Sequence, residues 1–176
     1  MSKKIKLVIF EGADNAGKST LVKKILGLNS KTELLNFKKP SNTEIVKVET
    51  SADLADYLNF IKGLNPDKIY LQDRGILSNL VYGTNYESAN VKALRILRDM
   101  VDLKIVVLKR QMVAEDFADD KISISKDRFN EIIQAYNCMP LAQLGLSKSS
   151  FLKAEIIGDE LAEEQLLSEL ETFFNT

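Results

Sequence analysis

The octapeptide Gly12-Ala13-Asp14-Asn15-Ala16-Gly17-Lys18-Ser19 constrains this chain more than any other stretch. It fits G-x-x-x-x-G-K-[ST]. Before it lies the β-favouring run Ile5 to Phe10, and after it Lys18 to Leu28 carries Leu21, Val22, Ile25 and Leu26 at helical spacing. In such a strand, loop and helix, glycines let the backbone turn tightly so that successive N–H groups face inward. The helix N-terminus adds its partial positive charge. The pattern reads as a phosphate-binding loop, with Gly12, Asn15, Ala16, Gly17, Lys18, Ser19 and Thr20 along the phosphates of ATP. Lys18 would reach the β and γ phosphates and Ser19 would hold Mg²⁺. A glycine-rich turn that binds nothing is the plain alternative, and the matching flanks argue against it.

The remaining chain repeats the alternation. Glu33 to Phe37 reads as a second strand stopped by Pro40, and Ser51-Ala52-Asp53 as the cap of a helix through Leu54, Leu58 and Ile61 that Gly63 and Pro66 close. Lys68 to Leu71 is a third strand, Ser88 to Val101 a helix, and Leu103 to Leu108 a fourth strand. Arg128 to Tyr136 is again helical, Phe151 to Ile157 a fifth strand, and Glu160 to Phe174 a final helix. Strands separated by helices require crossover connections. The expected fold is α/β, a doubly wound and mainly five-stranded parallel sheet with helices on both faces. Ligands of such sheets sit beyond the carboxyl ends of the strands.

Composition narrows the chemistry. The 176 residues suit a single domain, and 45% apolar with 28% charged residues describes an ordinary globular chain. Net charge is −1, so no overall field attracts a polyanion, which argues against nucleic acid as a partner unless the acceptor is a polynucleotide end. The chain has no histidine, which removes imidazole bases, Ser-His and Cys-His nucleophiles and the commonest transition-metal ligand. One cysteine, Cys138, and no leader-like or spanning segment lead to the expectation of a cytoplasmic protein without disulfides. A guanine-nucleotide switch would carry N-K-x-D and D-x-x-G elements, and neither occurs outside the loop.

Two motifs in order then resemble a known family. Phe10-Glu11-Gly12-Ala13-Asp14-Asn15-Ala16-Gly17-Lys18-Ser19-Thr20 is similar to the F-E-G-x-D-x-x-G-K-[ST]-T loop of thymidylate kinases. Asp73-Arg74-Gly75-Ile76-Leu77-Ser78-Asn79-Leu80-Val81-Tyr82 resembles that family's D-R-[YH]-x-x-S-x-x-A-Y element, directly after the third strand. The resemblance implies transfer of the γ-phosphoryl group of ATP, with Mg²⁺, to a deoxynucleoside monophosphate, thymidylate foremost. It implies that Asp14 lies near the acceptor sugar's 3′-hydroxyl and that Arg74 is the cation on the acceptor phosphate. Asp73 would be a carboxylate near Mg²⁺ and the phosphates, and Ser78 with Tyr82 part of the wall around the nucleobase. Members are usually homodimers.

The chain also departs from the family. Gly75 stands where an aromatic or His is common, Gly83 where Gln follows the Tyr, and Phe37-Lys38-Lys39-Pro40 where Arg-Glu-Pro is frequent. Phe37 is expected at the base pocket and Lys39, with Lys38, near the anionic acceptor, although a solvated pair of lysines reads as well. All five arginines are Arg74, Arg95, Arg98, Arg110 and Arg128, so a short lid at about 111–128 would draw its cation from Lys121, Lys126 and Arg128. Arg98 is a further candidate substrate contact, with pairing to Asp99 or Asp102 the simpler reading. Asp73 and Arg74 could likewise be a strand-end ion pair.

Two other functions fit the same residues. A kinase acting on a hydroxyl, either a deoxynucleoside or a polynucleotide 5′ end, would need a carboxylate base, for which Asp14 and Asp73 are the candidates. A nucleotide-binding regulator would keep the phosphate loop without turnover.

Overall fold

The computed structural model of the protein describes residues 3–35, 51–83, 87–118 and 123–176, of which 51–53 and 87 are described by their backbone alone. Along them run β1 (Lys6–Glu11), α1 (Lys18–Leu28), β2 (Thr32–Leu34), α2 (Ser51–Lys62), β3 (Ile69–Asp73), α3 (Ile76–Tyr82) and α4 (Glu87–Met100). They continue with β4 (Asp102–Leu108), β5 (Phe117–Ala118), β6 (Ser123–Ile124), α5 (Lys126–Asn137), β7 (Phe151–Ala154) and α6 (Glu160–Asn175). The main sheet has five strands in the order β2-β3-β1-β4-β7, every neighbouring pair parallel.

Burial on both faces explains the near-continuous apolar strands. Along β1, Leu7 and Ile9 enter one half of the core and Val8 and Phe10 the other, each at most 1% exposed. The first half is closed by Leu54, Tyr57 and Ile61 of α2, Leu94 and Leu97 of α4, and Phe129, Ile133 and Tyr136 of α5. The second is closed by Leu21, Val22 and Ile25 of α1 and by Leu166 and Leu170 of α6. Caps set the helix starts: Ser125 Oγ accepts from Arg128 N at 3.4 Å, and Asp159 Oδ1 from Ala162 N at 2.9 Å.

From β1 the chain builds first toward β3 and β2 and later toward β4 and β7, so the direction of winding reverses beside β1. A crevice at the carboxyl ends of the strands follows from that reversal. The loops after β1, β3 and β4 all open there.

The fold class is as expected, while several local expectations need correction. The second strand is Thr32–Leu34 rather than Glu33 to Phe37, and Phe37, Lys38 and Lys39 lie outside the described residues. The last strand ends at Ala154, three residues short of the expected Ile157, because Ile156 turns inward toward Gly17. Residues 74–83 contain α3, which their apolar pattern alone does not announce. In the span expected as a lid, Phe117–Ala118 pairs antiparallel with Ser123–Ile124, and α5 begins at Lys126.

Gly75 is required by crowding at the start of α3. A Cβ there would stand 2.8 Å from Ile9 Cγ2 and 3.4 Å from Glu11 Oε1. Ile9 is buried, so the methyl has little room to retreat. Gly75→Ala is therefore expected to destabilise the protein by about 1–3 kcal/mol. A thermal unfolding scan checks this, with the midpoint falling by roughly 2–4 °C per kcal/mol for a chain of this size.

Candidate active site

The phosphate loop joins β1 to α1 through backbone conformations that explain its composition. Gly12 has φ 145°, and a Cβ there would lie 2.5 Å from the Leu108 carbonyl oxygen of β4. Gly17, at φ 90°, ends the loop as the N-cap of α1, while Asn15 occupies the left-handed region at φ 56°. No side chain caps α1. Its first N–H groups are thus left for an anion, as a helix opening on a phosphate site requires.

Lys18 is 6% exposed and donates to the carbonyls of Gly12 at 3.0 Å and Ala13 at 2.7 Å. Burial, then the neighbouring Arg74 guanidinium, lower its pKa from 10.5 to about 8, against opposing pulls from Asp73, Asp14 and Glu11. A cation held on carbonyls in a poorly solvated position is one that phosphate oxygens would satisfy better.

Ser19 donates its hydroxyl to Asp73 Oδ2 at 2.7 Å. Asp73 Oδ1 is buried and makes no hydrogen bond. Among the described residues no group of three or more His, Cys, Asp or Glu could hold a metal. A hydroxyl beside one carboxylate with an unsatisfied oxygen nonetheless fits Mg²⁺, which usually takes one or two carboxylates, substrate phosphates and water. Ser19 and Asp73 are the residues that would hold it.

Arg74 follows β3 in the left-handed region, at φ 65°. For a residue other than glycine that conformation costs of order 1–3 kcal/mol and persists only when neighbours enforce it. They do: Arg74 N donates to the Phe10 carbonyl at 2.9 Å, and Gln72 Nε2 to the Arg74 carbonyl at 3.0 Å. Tyr57 in turn donates to Gln72 Oε1 at 2.7 Å. The guanidinium crosses to the phosphate loop, pairing with Asp14 Oδ1 and donating to the Gly12 carbonyl at 3.1 Å. It also reaches the hydroxyls of Tyr82 at 3.3 Å and Tyr136 at 3.4 Å. Arg74 is thus paired with Asp14 and not with its neighbour Asp73.

Glu11 anchors this arrangement from the last position of β1. Its carboxylate is fully buried and accepts from the backbone N–H of Gly75 at 2.8 Å, Leu77 at 3.1 Å and Ser78 at 3.3 Å. Ser78 Oγ adds a bond of 2.6 Å to Oε2. Glu11 therefore caps α3 from another strand. Burial pushes its carboxyl pKa up, while these hydrogen bonds and Arg74 pull the other way. Burial also raises the Tyr136 phenol well above its usual value.

The structure brings Lys18, Ser19, Asp14, Asp73 and Arg74 together, and Tyr82 stands over Arg74 with 5.3 Å from guanidinium carbon to ring centre. Ser78 is placed differently. It is 1% exposed and spends its hydroxyl on Glu11 and Tyr136, so it supports α3 rather than offering itself to a base.

Arg98 is not brought to the site. It lies near the end of α4, pairs with Asp99 and donates to the Gly145 carbonyl, lining a cleft of about 650 Å³ with Lys4, Asp102 and Lys104. Asp102 is level with Lys6 at the start of the strands, whereas the phosphate loop follows their far ends, roughly 17 Å away at 3.3 Å per residue. Of the expected lid cations, Lys126 is exposed, Arg128 pairs with Glu131 at 2.8 Å, and Lys121 lies outside the described residues.

The cation that sequence reasoning missed is Arg110. It donates to the Asp14 carbonyl from just beyond β4. Its place after a strand's carboxyl end was the available signal. Glu11 carried one too, as a charged residue ending a strand after four apolar positions, Leu7 to Phe10.

No protein-family model matches the chain. A thymidylate kinase from Campylobacter jejuni is 31% identical over 121 residues, which cover 58% of this chain and 63% of that relative. The chain thus matches less than two thirds of the relative's length. Among solved structures, a thymidylate kinase from Candida albicans superposes with a TM-score of 0.63 at 18% identity, covering 99% of this chain and 95% of that one. A deoxyadenosine kinase from M. mycoides, solved with dATP bound, gives 0.61 at 15% identity over 94% of this chain and 99% of that one. The chain has the phosphate-loop nucleotide-kinase α/β fold. Within that class, the sequence match is to a thymidylate kinase.

Two outcomes follow from the site's electrostatics. Replacing Glu11 with Leu leaves the Gly75, Leu77 and Ser78 N–H groups without their acceptor, each worth about 1–3 kcal/mol when buried. Denaturant unfolding should show a loss of several kcal/mol, of order the sum of those costs. Lys18 titrates at about 8 in the free protein and would be protonated against a polyphosphate. Calorimetric affinity for inorganic tripolyphosphate should therefore fall by up to about tenfold per unit as pH rises above that value.

Proposed function

We propose that the protein transfers the γ-phosphoryl group of ATP to a deoxynucleoside monophosphate, with thymidylate the first acceptor to test. The observation that carries this reading is Arg74, a guanidinium held in a costly backbone conformation and laid against the phosphate loop beside Lys18. A second fixed cation facing the loop suits an acceptor that is already an anion.

The residues divide the work. The phosphate loop and Lys18 take the donor's phosphates. Arg74 takes the acceptor phosphate by exchanging its bond to Asp14, and the carboxylate so released is free for the acceptor sugar's hydroxyl. Mg²⁺, when bound, neutralises charge on the donor's phosphates. Ser19 and Asp73 would hold it, because Asp73 Oδ1 otherwise stays buried without a partner.

A monophosphate is mostly dianionic near neutral pH, its second pKa being about 6. Its oxygen can therefore attack the γ-phosphorus directly. A new P–O bond forms as the bond to the β,γ-bridging oxygen breaks, and ADP leaves with that electron pair. No side chain has to take a proton, which agrees with a chain lacking histidine. A hydroxyl acceptor would need a base to take its proton, and Asp14 and Asp73 are the carboxylates beside Arg74 and Ser19 that would have to serve.

An ADP-release assay with ATP and Mg²⁺ tests the assignment against thymidine, the common nucleoside and deoxynucleoside monophosphates, and a 5′-hydroxyl oligonucleotide. Turnover is expected with thymidylate, falling about 10²–10³-fold in Arg74→Ala and at least as far in Lys18→Ala. Turnover with hydroxyl acceptors alone would refute the monophosphate assignment. Nucleotide binding without any turnover would leave a sensor.

A further inference from the structure

Lys18 and Arg74 are not the only cations drawn to the phosphate loop. Arg110 Nη1 donates to the carbonyl of Asp14, the residue whose carboxylate holds Arg74. Three side chains from three parts of the chain thus converge on the carbonyls of Gly12, Ala13 and Asp14. Neutral carbonyls are weak partners for cations, and phosphate oxygens would replace them with charge-assisted bonds.

Arg110 is held more firmly than a surface arginine. Its N–H donates to Asn137 Oδ1 at 3.3 Å, and its carbonyl accepts from Asn137 Nδ2 at 2.8 Å, so one amide side chain of α5 clamps its backbone from both sides. Two helical turns earlier on α5, Asn130 does the same to Val113, accepting at 2.8 Å and donating at 3.0 Å. The segment leaving β4 is therefore fastened along α5 as a strand is fastened to its neighbour. The guanidinium then lies 5.0 Å from the Phe129 ring centre and 5.7 Å from that of Phe117, and the two rings stack at 4.3 Å. A planar guanidinium suits such a cradle, and lysine does not present that shape.

We infer that Arg110 is a catalytic cation of this site, contacting the phosphoryl group in transit between donor and acceptor, and that Asn137 is the residue that positions it. The inference rests on the kinase reading above and assigns the role that the sequence suggested for Lys121, Lys126 or Arg128. Lys18 serves the donor side and Arg74 the acceptor side. Arg110 reaches the same loop at Asp14, the residue already tied to Arg74, and can follow the negative charge that spreads over the transferred group.

Arg110→Gln and Arg110→Lys would be compared with the wild type for kcat, for unfolding temperature, and for affinity toward ADP and the β,γ-imido analogue of ATP. In Arg110→Gln, kcat is expected to fall about 10²–10³-fold. Affinity for the imido analogue should fall about tenfold while ADP binding stays within about twofold, the loss of one charged hydrogen bond at the γ position. Arg110→Lys should recover part of both. Asn137→Ala, which keeps the cation and frees its backbone, should lower kcat with little change in ADP affinity.

Equal losses for ADP and the imido analogue, accompanied by a lower unfolding temperature, would make Arg110 a structural strut and overturn the inference. So would unchanged kcat and analogue affinity in Arg110→Gln. If the wild type turns over no acceptor yet the selective loss for the imido analogue appears, the kinase reading fails while the γ-phosphate contact of Arg110 stands.

Discussion

The architecture of the site depends on the buried carboxylate of Glu11. One side chain at the end of β1 accepts three backbone N–H groups at the start of α3, joining the strand that leads into the phosphate loop to the segment that directly follows Arg74. A fully buried carboxylate without partners would be costly, and here the helix end supplies them in a form no apolar residue could match. The loops after β1 and β3 are thereby held as one unit. The left-handed backbone of Arg74 and the crowding at Gly75 follow from that closeness.

Around this anchor the charges are unevenly arranged. Lys18, Arg74 and Arg110 all point at the loop, while its carboxylates are committed, Asp14 to Arg74 and one oxygen of Asp73 to Ser19. Burial drives the Lys18 pKa down to about 8, so the site opposes that charge until an anion arrives. An arrangement that is electrostatically uncomfortable alone and satisfied by phosphate is what nucleotide chemistry asks of a protein. A chain with net charge −1 achieves it by local placement rather than by an overall field.

Parts of this were legible from the chain alone, and the boundary has physical causes. The phosphate loop was legible because its glycines answer to conformations and approaches within eight consecutive residues. The parallel sheet was legible because strands buried on both faces read as unbroken apolar runs. The helix α3 was not, since its cap is a carboxylate more than sixty residues earlier in the chain. Arg98 and Arg110 show the same limit from opposite sides. Both are arginines near strand β4, yet one lies by the start of the strand and the other beyond its end.

The sequence by itself determined the alternation of strands and helices, the phosphate loop and the absence of imidazole chemistry, because these depend on local backbone freedom, on hydrophobic period and on which residues exist at all. Only the tertiary structure decided that Arg74 faces Asp14 rather than Asp73, that Ser78 serves Glu11, and that Arg110 joins the site while Arg98 does not. Those outcomes are set by which strand ends lie side by side in the order β2-β3-β1-β4-β7, and that juxtaposition comes from burying both faces of the sheet at once.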